Sequence, residues 1–144
     1  FRIFMASNSR RQSRILSFQV LFEAEQHGKP TSEVLNLRLN ESNLNEEART
    51  FVTKLVDGTA NSKDKIDSVL ERHAAAFPLN EMAAVDRNVL SLAIYELLFD
   101  NHDSPFRVII NEAVDIAKGY GSESSGRFVN GVLASVAIEA NNVS

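Results

Sequence analysis

The segment INEAVDIAKGYGSESSGRFVNGVL, residues 110–133, predicts two amphipathic helices joined by a short polar loop. Before the loop, apolar residues recur at three- and four-residue spacings, the periodicity of a helix with one buried face, and Tyr120 falls on that inward face. Gly119 and Gly121 mark the end of this first helix. Arg127 and Phe128 follow the serine-rich loop directly, so a basic and an aromatic side chain lie at the start of the final helix.

The same helical periodicity continues through the rest of the chain and predicts an all-α fold, a compact bundle of about seven helices in two packed subgroups divided near Pro78. The first helix, residues 9–26, is apolar around most of its circumference and should lie centrally, with its arginine-bearing first turns projecting outward. Other boundaries follow from capping residues and helix breakers. Predicted features are a helix capped by Thr31 or Ser32, one opened by Asn45, one after Ser62, a long helix over 80–100 and one starting near Pro105.

Composition limits the protein classes that fit. The chain has 144 residues, 44% hydrophobic and 24% charged, which is typical of one globular domain. It has no cysteine, which excludes disulfides, thiolate metal sites and thiol nucleophiles and fits a reducing cytoplasm. No apolar run approaches the roughly 20 residues of a membrane span. Residues 1–4 precede the first methionine and are set aside from the fold, so one soluble, cytoplasmic domain is expected over 5–144.

The charge is unevenly distributed. The net charge is −4, yet residues 1–22 contain Arg2, Arg10, Arg11 and Arg14 and no acidic residue. Because salt screens charges beyond about 8–10 Å, a local basic segment can bind a phosphate backbone even in an acidic protein. Helical spacing allows Arg10, Arg11 and Arg14 to face one such backbone.

Catalytic and metal-binding patterns are absent from the sequence. His27, His73 and His102 are far apart, and they are predicted to be solvated near helix ends rather than to act as ligands. No strand precedes a glycine-rich phosphate loop, and no serine lies in a nucleophile elbow. The sequence therefore predicts a protein that is not an enzyme and that carries no cofactor and no metal.

Four polar residues interrupt apolar helical segments: Glu96, Asn111, Glu112 and Asn130. An unpaired polar group inside a bundle costs about 1–3 kcal/mol, so these side chains are expected to hydrogen-bond to neighbouring helices.

The loop before the final helix has two interpretations. Free backbone amides at the helix start, together with Arg127, could bind phosphate while Phe128 stacks on a base. Alternatively, Ser124 or Ser125 is only an N-cap, Arg127 is solvated and Phe128 belongs to the core.

The chain also resembles the NusB family of bacterial transcription antitermination factors. The resemblance lies in RRQSR leading into QVLFE, then DRNVLSLAIYELL, PFRVIINEAVDIAKGYG and GRFVNGVL, which occur in the family's order between Arg10 and Leu133. Residues 28–80 match the family only in helix pattern.

The resemblance implies an RNA-binding protein that recognises the single-stranded boxA element of nascent ribosomal RNA leaders. It implies a small-subunit ribosomal protein, called NusE in this role, as partner within an RNA polymerase antitermination complex. Phe22 matches a position where the family often has tyrosine. Expected partner-binding residues are Glu81 and Asp86; expected RNA-binding residues are Arg10, Arg11, Arg14, Phe22, Lys118, Ser122, Ser124, Ser125, Arg127 and Phe128.

Two other functions remain open at the level of sequence. One is a homo-oligomeric all-α interaction module, for example a homodimer that buries the partner surface. The other is the NusB-like RNA-binding domain of a ribosomal RNA methyltransferase. That enzyme would require a doubly wound domain with a glycine-rich cofactor loop, and residues 1–144 contain no such loop.

Overall fold

The computed structural model describes residues 9–100 and 104–143, and every regular element within these ranges is helical. This confirms the predicted all-α fold and the number of helices. Residues 1–4, Arg2 among them, and His102 lie outside the described ranges. The α-helices are α1 Ser9–His27, α2 Thr31–Glu41, α3 Glu46–Asn61, α4 Lys63–His73, α5 Ala84–Ile94, α6 Phe106–Tyr120 and α7 Glu123–Val143.

Helix boundaries follow the local sequence. Gly28 adopts φ +63°, a left-handed conformation that favours glycine, directly after α1 ends. The Asn45 side chain accepts a hydrogen bond from the Ala48 amide at 2.8 Å, so it caps α3 as predicted. The predicted cap at Thr31 or Ser32 is wrong, because Pro30 occupies the N-cap position of α2 and no side chain caps that helix.

The long helix predicted over residues 80–100 is divided into three elements. A short 3₁₀ turn, Leu79–Glu81, precedes α5, and α5 continues into a π-helical turn, Tyr95–Phe99. The prediction of one continuous helix was wrong because Met82 and Ala83 are extended between the 3₁₀ turn and α5. Apolar spacing also does not distinguish an α-helical from a π-helical turn. The wider turn carries Glu96, whose side chain is buried.

Helix α1 lies centrally, as predicted, and packs against α2, α3, α5 and α6. Its residues Phe18 and Val20 are fully enclosed. Only Gly121 and Ser122 separate α6 from α7, so these two helices run antiparallel and form the most extensive helix pair of the bundle. The α6–α7 loop lies at one end of this pair, and Tyr120, just before it, contacts Gln19 of α1.

Candidate nucleic-acid interface

The three arginines at the start of α1 have two different environments. Arg10 and Arg11 are exposed, as predicted. The prediction that all three project outward is wrong for Arg14, which is only 3% exposed. Arg14 turns into the bundle because Glu96 on the π turn and Glu112 on α6 lie opposite it.

Arg14 is satisfied by a buried network. Its Nε and Nη2 donate to the two carboxylate oxygens of Glu96 at 2.8 and 2.9 Å, and its Nη1 donates to Glu112 at 2.9 Å. Burial alone would lower the pKa of Arg14, but hydrogen bonds and charges from Glu96 and Glu112 outweigh it and raise the pKa above its ordinary value. The prediction that Glu96 and Glu112 hydrogen-bond to a neighbouring helix is confirmed, since both accept from Arg14 on α1. The same prediction is wrong for Asn111 and Asn130, which lie exposed.

Arg10 and Arg11 already make contacts at the protein surface. Arg11 Nη1 lies 3.0 Å from Glu112 and 3.5 Å from Asp115. The Arg10 guanidinium lies 4.3 Å from the centre of the Phe51 ring, close enough for a cation–π contact. These contacts orient both cations at the rim of α1 while leaving them accessible to a phosphate.

The loop between α6 and α7 is ordered by its serines. Ser122 Oγ accepts a hydrogen bond from the Ser125 amide at 3.1 Å, so Ser122 is the N-cap of α7. The alternative in which Ser124 or Ser125 caps the helix is therefore wrong. The first-turn amides of Glu123 and Ser124 have no acceptor within the helix, and they lie at the positive end of its dipole.

Lys118 lies against the start of α7. A Cβ atom added to Gly126 would come within 2.7 Å of Lys118 Cγ, so the two helices approach closely at this point. The stem of Lys118 thus passes over Gly126, and Lys118 is exposed. Arg127, which directly follows Gly126 in the sequence, is also exposed.

The two aromatic residues expected at the site are both half-buried. Phe22 stacks on Phe18 with ring centres 5.7 Å apart. Phe128 packs edge-on against Phe77 at 5.2 Å, so it combines a packing contact with partial access to solvent. Sequence reasoning missed Phe77, which is 51% exposed and follows α4 in a segment without helical periodicity.

The residues expected to bind a protein partner lie on and after the 3₁₀ turn. Glu81 is exposed at the end of that turn, and Asp86 is in the first turn of α5, where an acidic side chain complements the helix dipole. Neighbouring Arg87 pairs with Glu25 and donates to the Met82 carbonyl at 2.9 Å.

The described helices also enclose a cleft. A cleft of about 410 Å³ between α1, α3, α4 and α5 is bordered by the ion pairs Arg87–Glu25 and Lys63–Asp67.

The two described histidines differ in environment. His27 ends α1 and is exposed, as predicted, but the prediction of a solvated helix end is wrong for His73. Its ring lies between Ser135, at 2.7 Å, and Glu139. No helix in the described part of the chain is both long and apolar enough to span a membrane.

The described helices form an all-α bundle that carries exposed basic and half-buried aromatic side chains on α1, α6 and α7. The sequence model of the NusB family matches residues 11–138, and the chain belongs to this family. Transcription antitermination protein NusB of Dehalococcoides mccartyi is 41% identical over 130 residues, which cover 90% of each chain. Both the resemblance and the predicted role in transcription antitermination are thereby confirmed, as is the prediction that the protein is not an enzyme.

Solved structures of the family have the same fold. NusB from T. maritima superposes with a TM-score of 0.84 at 39% identity, covering 90% of this chain and 91% of that one. A crystal structure of antitermination factors NusB and NusE in complex with double-stranded RNA includes a chain that superposes with a TM-score of 0.83. That chain is 32% identical, and the match covers 92% of this chain and 98% of that one.

Proposed function

We propose that this protein acts in antitermination by binding the single-stranded boxA element of ribosomal RNA leaders together with a small-subunit ribosomal protein in the NusE role. The complex would join RNA polymerase in the cytoplasm, and residues 5–144 would act as one RNA-binding domain. The related NusB chain found with NusE and RNA supports this assignment. The matching relatives are described as transcription antitermination proteins, which supports this role over that of a methyltransferase RNA-binding domain.

The observation that carries the RNA-binding proposal is the alignment of α1 beside α6. Arg11 on α1 contacts Glu112 and Asp115 on α6, and further along Gln19 on α1 contacts Tyr120 at the end of α6. The basic start of α1 and the loop before α7 are therefore two ends of one side of the molecule. A strand lying along this side could place phosphates on Arg10 and Arg11 at one end and on the loop amides at the other.

Each expected site residue has a specific place in this proposal. Arg10, Arg11, Lys118 and Arg127 contribute charge, and Phe22 and Phe128 contribute aromatic surface. Ser122, Ser124 and Ser125 present hydroxyls and amides at the start of α7, while Glu81 and Asp86 remain the proposed partner contacts. We assign Arg14 a positioning role, because its guanidinium is engaged by Glu96 and Glu112.

The proposal is tested by fluorescence anisotropy with a labelled boxA-like RNA strand, titrated with the protein alone and with the small-subunit ribosomal protein present. We expect weak binding by the protein alone and tighter binding with the partner. A strand of the same composition in scrambled order serves as the control. Equal affinity for both strands with and without the partner would contradict the proposal.

The homodimer alternative is tested in the same samples by size-exclusion chromatography. A homodimer that persists when RNA and the ribosomal protein are added would favour the self-associating interaction module. Conversion to a heterodimer would favour the proposed function.

A further inference from the structure

The two ends of the proposed RNA surface are separated by a gap. Arg11 and Gln19 are eight residues apart on α1, which corresponds to about 12 Å at 1.5 Å per residue. A stacked strand advances about 3.4 Å per nucleotide, so three or four nucleotides would cross this gap. If no residue held them, the strand would be fixed only at its ends.

The gap is lined by residues of α1 and α6, which we call the α1–α6 seam: Arg11, Ile15 and Gln19 with Glu112, Asp115 and Tyr120. A shallow depression of about 70 Å³ lies at its centre. The carboxylates of Glu112 and Asp115 face Arg11 at one end of the seam. At the other end, next to the serine loop, lies the exposed aromatic residue Tyr120.

Tyr120 was expected on the inward face of α6, but it is 47% exposed. Its ring rests on Phe18, with centres 5.1 Å apart and planes inclined by 54°. Gln19 Nε2 donates to its hydroxyl at 2.6 Å. Tyr120 is thus held through both its ring and its hydroxyl group. Little side-chain entropy therefore remains to be lost when a ligand packs on the ring.

Phe18 connects Tyr120 to the aromatic residue already assigned to the site. It stacks on Phe22 at 5.7 Å with planes inclined by 28°, so the three rings form one cluster. Phe22 carries no hydroxyl, whereas Tyr120 presents one on the exposed side of this cluster. An exposed aromatic ring can stack on a base of a single strand irrespective of the base's identity.

We propose that Tyr120 is an RNA-binding residue that stacks on a base of the strand as it crosses the α1–α6 seam, with Gln19 orienting its ring. This inference rests on the proposed function, since it assigns a further contact to the same RNA surface. The Tyr120 hydroxyl accepts from Gln19 and keeps its own proton to donate to a base edge or a phosphate.

The test compares Tyr120→Ala, Tyr120→Phe and Gln19→Ala with the wild type, using the boxA-like strand and the ribosomal protein. Tyr120→Ala loses one stacked base, so its RNA affinity should be about fivefold to a hundredfold lower than that of the wild type. Tyr120→Phe keeps the ring and should lose much less affinity. The affinity loss of Gln19→Ala should lie between those of the two Tyr120 variants. Leu37→Ala on α2 is the matched control, because Leu37 is 48% exposed and lies outside the seam.

A second readout reports stacking directly. The sequence contains no tryptophan, so Tyr120→Trp introduces a single fluorophore whose emission should be quenched when RNA binds. Leu37→Trp should show no quenching. This measurement remains informative if Tyr120→Ala proves poorly folded.

The outcomes separate this inference from the proposed function. The role of Tyr120 would be overturned, and the proposed function left standing, by three results together: the wild type binds RNA, Tyr120→Ala binds with unchanged affinity, and Tyr120→Trp is not quenched. Loss of ribosomal-protein binding with intact RNA binding would also overturn it, because the ring would then belong to the protein interface. Failure of the wild type to bind RNA under any condition would overturn both.

Discussion

The guanidinium of Arg14 and the carboxylate of Glu96 form a two-point ion pair inside the bundle, with N–O distances of 2.8 and 2.9 Å. These residues are 82 positions apart, and the pair joins α1 to the π-helical turn after α5. Both side chains are almost completely buried. The pair fixes the rotation of α1 and thereby sets which way Arg10 and Arg11 face.

Replacing Arg14 with methionine should destabilise the protein by about 3–5 kcal/mol, because Glu96 would be left buried without its partner. Urea unfolding followed by circular dichroism measures this loss. The matched control, Arg11→Met, removes an exposed cation and should change stability by less than about 1 kcal/mol. Adding Glu96→Leu to Arg14→Met should recover part of the loss, since it removes the orphaned charge. Equal effects of Arg14→Met and Arg11→Met would contradict the structural role.

Replacing Arg10 and Arg11 together with alanine should weaken RNA binding and reduce its salt dependence while helicity stays nearly intact. Each lost phosphate contact lowers the slope of log affinity against log salt by about 0.7 for a single strand. Two lost contacts should therefore be visible in titrations at several salt concentrations. Lys63→Ala on α4 controls for the loss of a surface cation. An unchanged slope in the double variant would remove the start of α1 from the RNA surface.

Replacing Phe128 with alanine should reduce RNA affinity more than it reduces stability. The ring is half-buried, so the stability cost should fall below the roughly 3–5 kcal/mol of a fully buried phenylalanine. A stacked base should contribute about 1–3 kcal/mol to binding. Phe77→Ala removes the same edge-on contact and provides the control for packing alone. A large fall in melting temperature with unaltered affinity would assign Phe128 to the core, and Arg127→Ala would then measure the contribution of charge at this position.

Glu139 should make stability depend on pH below neutrality. Hydrogen bonds from His73 and Arg72 hold the pKa of the Glu139 carboxyl below its ordinary value of 4.5. A lowered folded-state pKa means that the carboxylate stabilises the fold above about pH 4.5 and that this contribution is lost as pH falls through the folded pKa. Glu139→Gln should therefore be less stable than the wild type near pH 7, and the difference should shrink below about pH 4.

The control for this pH dependence is Glu71→Gln, an exposed substitution on the same helix as His73. Thermal unfolding across the pH range compares the three proteins. A constant difference between the wild type and Glu139→Gln at all pH values would show that the carboxylate charge is not responsible.

Sequence reasoning predicted most of the fold because periodicity and capping residues act locally. Asn45 and Pro105 mark helix starts, and Gly28 marks the end of α1, irrespective of what surrounds them. The same reasoning placed Arg10, Arg11 and the α7 loop on the surface.

The errors arose where tertiary contacts decide the outcome. Helical spacing showed that Arg14 could share a face with Arg10 and Arg11, but its carboxylate partners are 82 and 98 positions away in sequence. Likewise, Tyr120 continues the apolar pattern of α6, yet its exposure depends on how α1 passes beside it. Sequence spacing shows which residues share a helix face, and only the packed structure shows what lies opposite that face.

The most direct test of the proposed RNA surface is amide NMR of the 16.0 kDa protein as a boxA-like strand is added at low salt. We predict chemical-shift changes concentrated in the first turns of α1, along the α1–α6 seam and through residues 118–128. Changes confined to α2 and α3 would contradict this account, and so would the absence of changes when the ribosomal protein is also present.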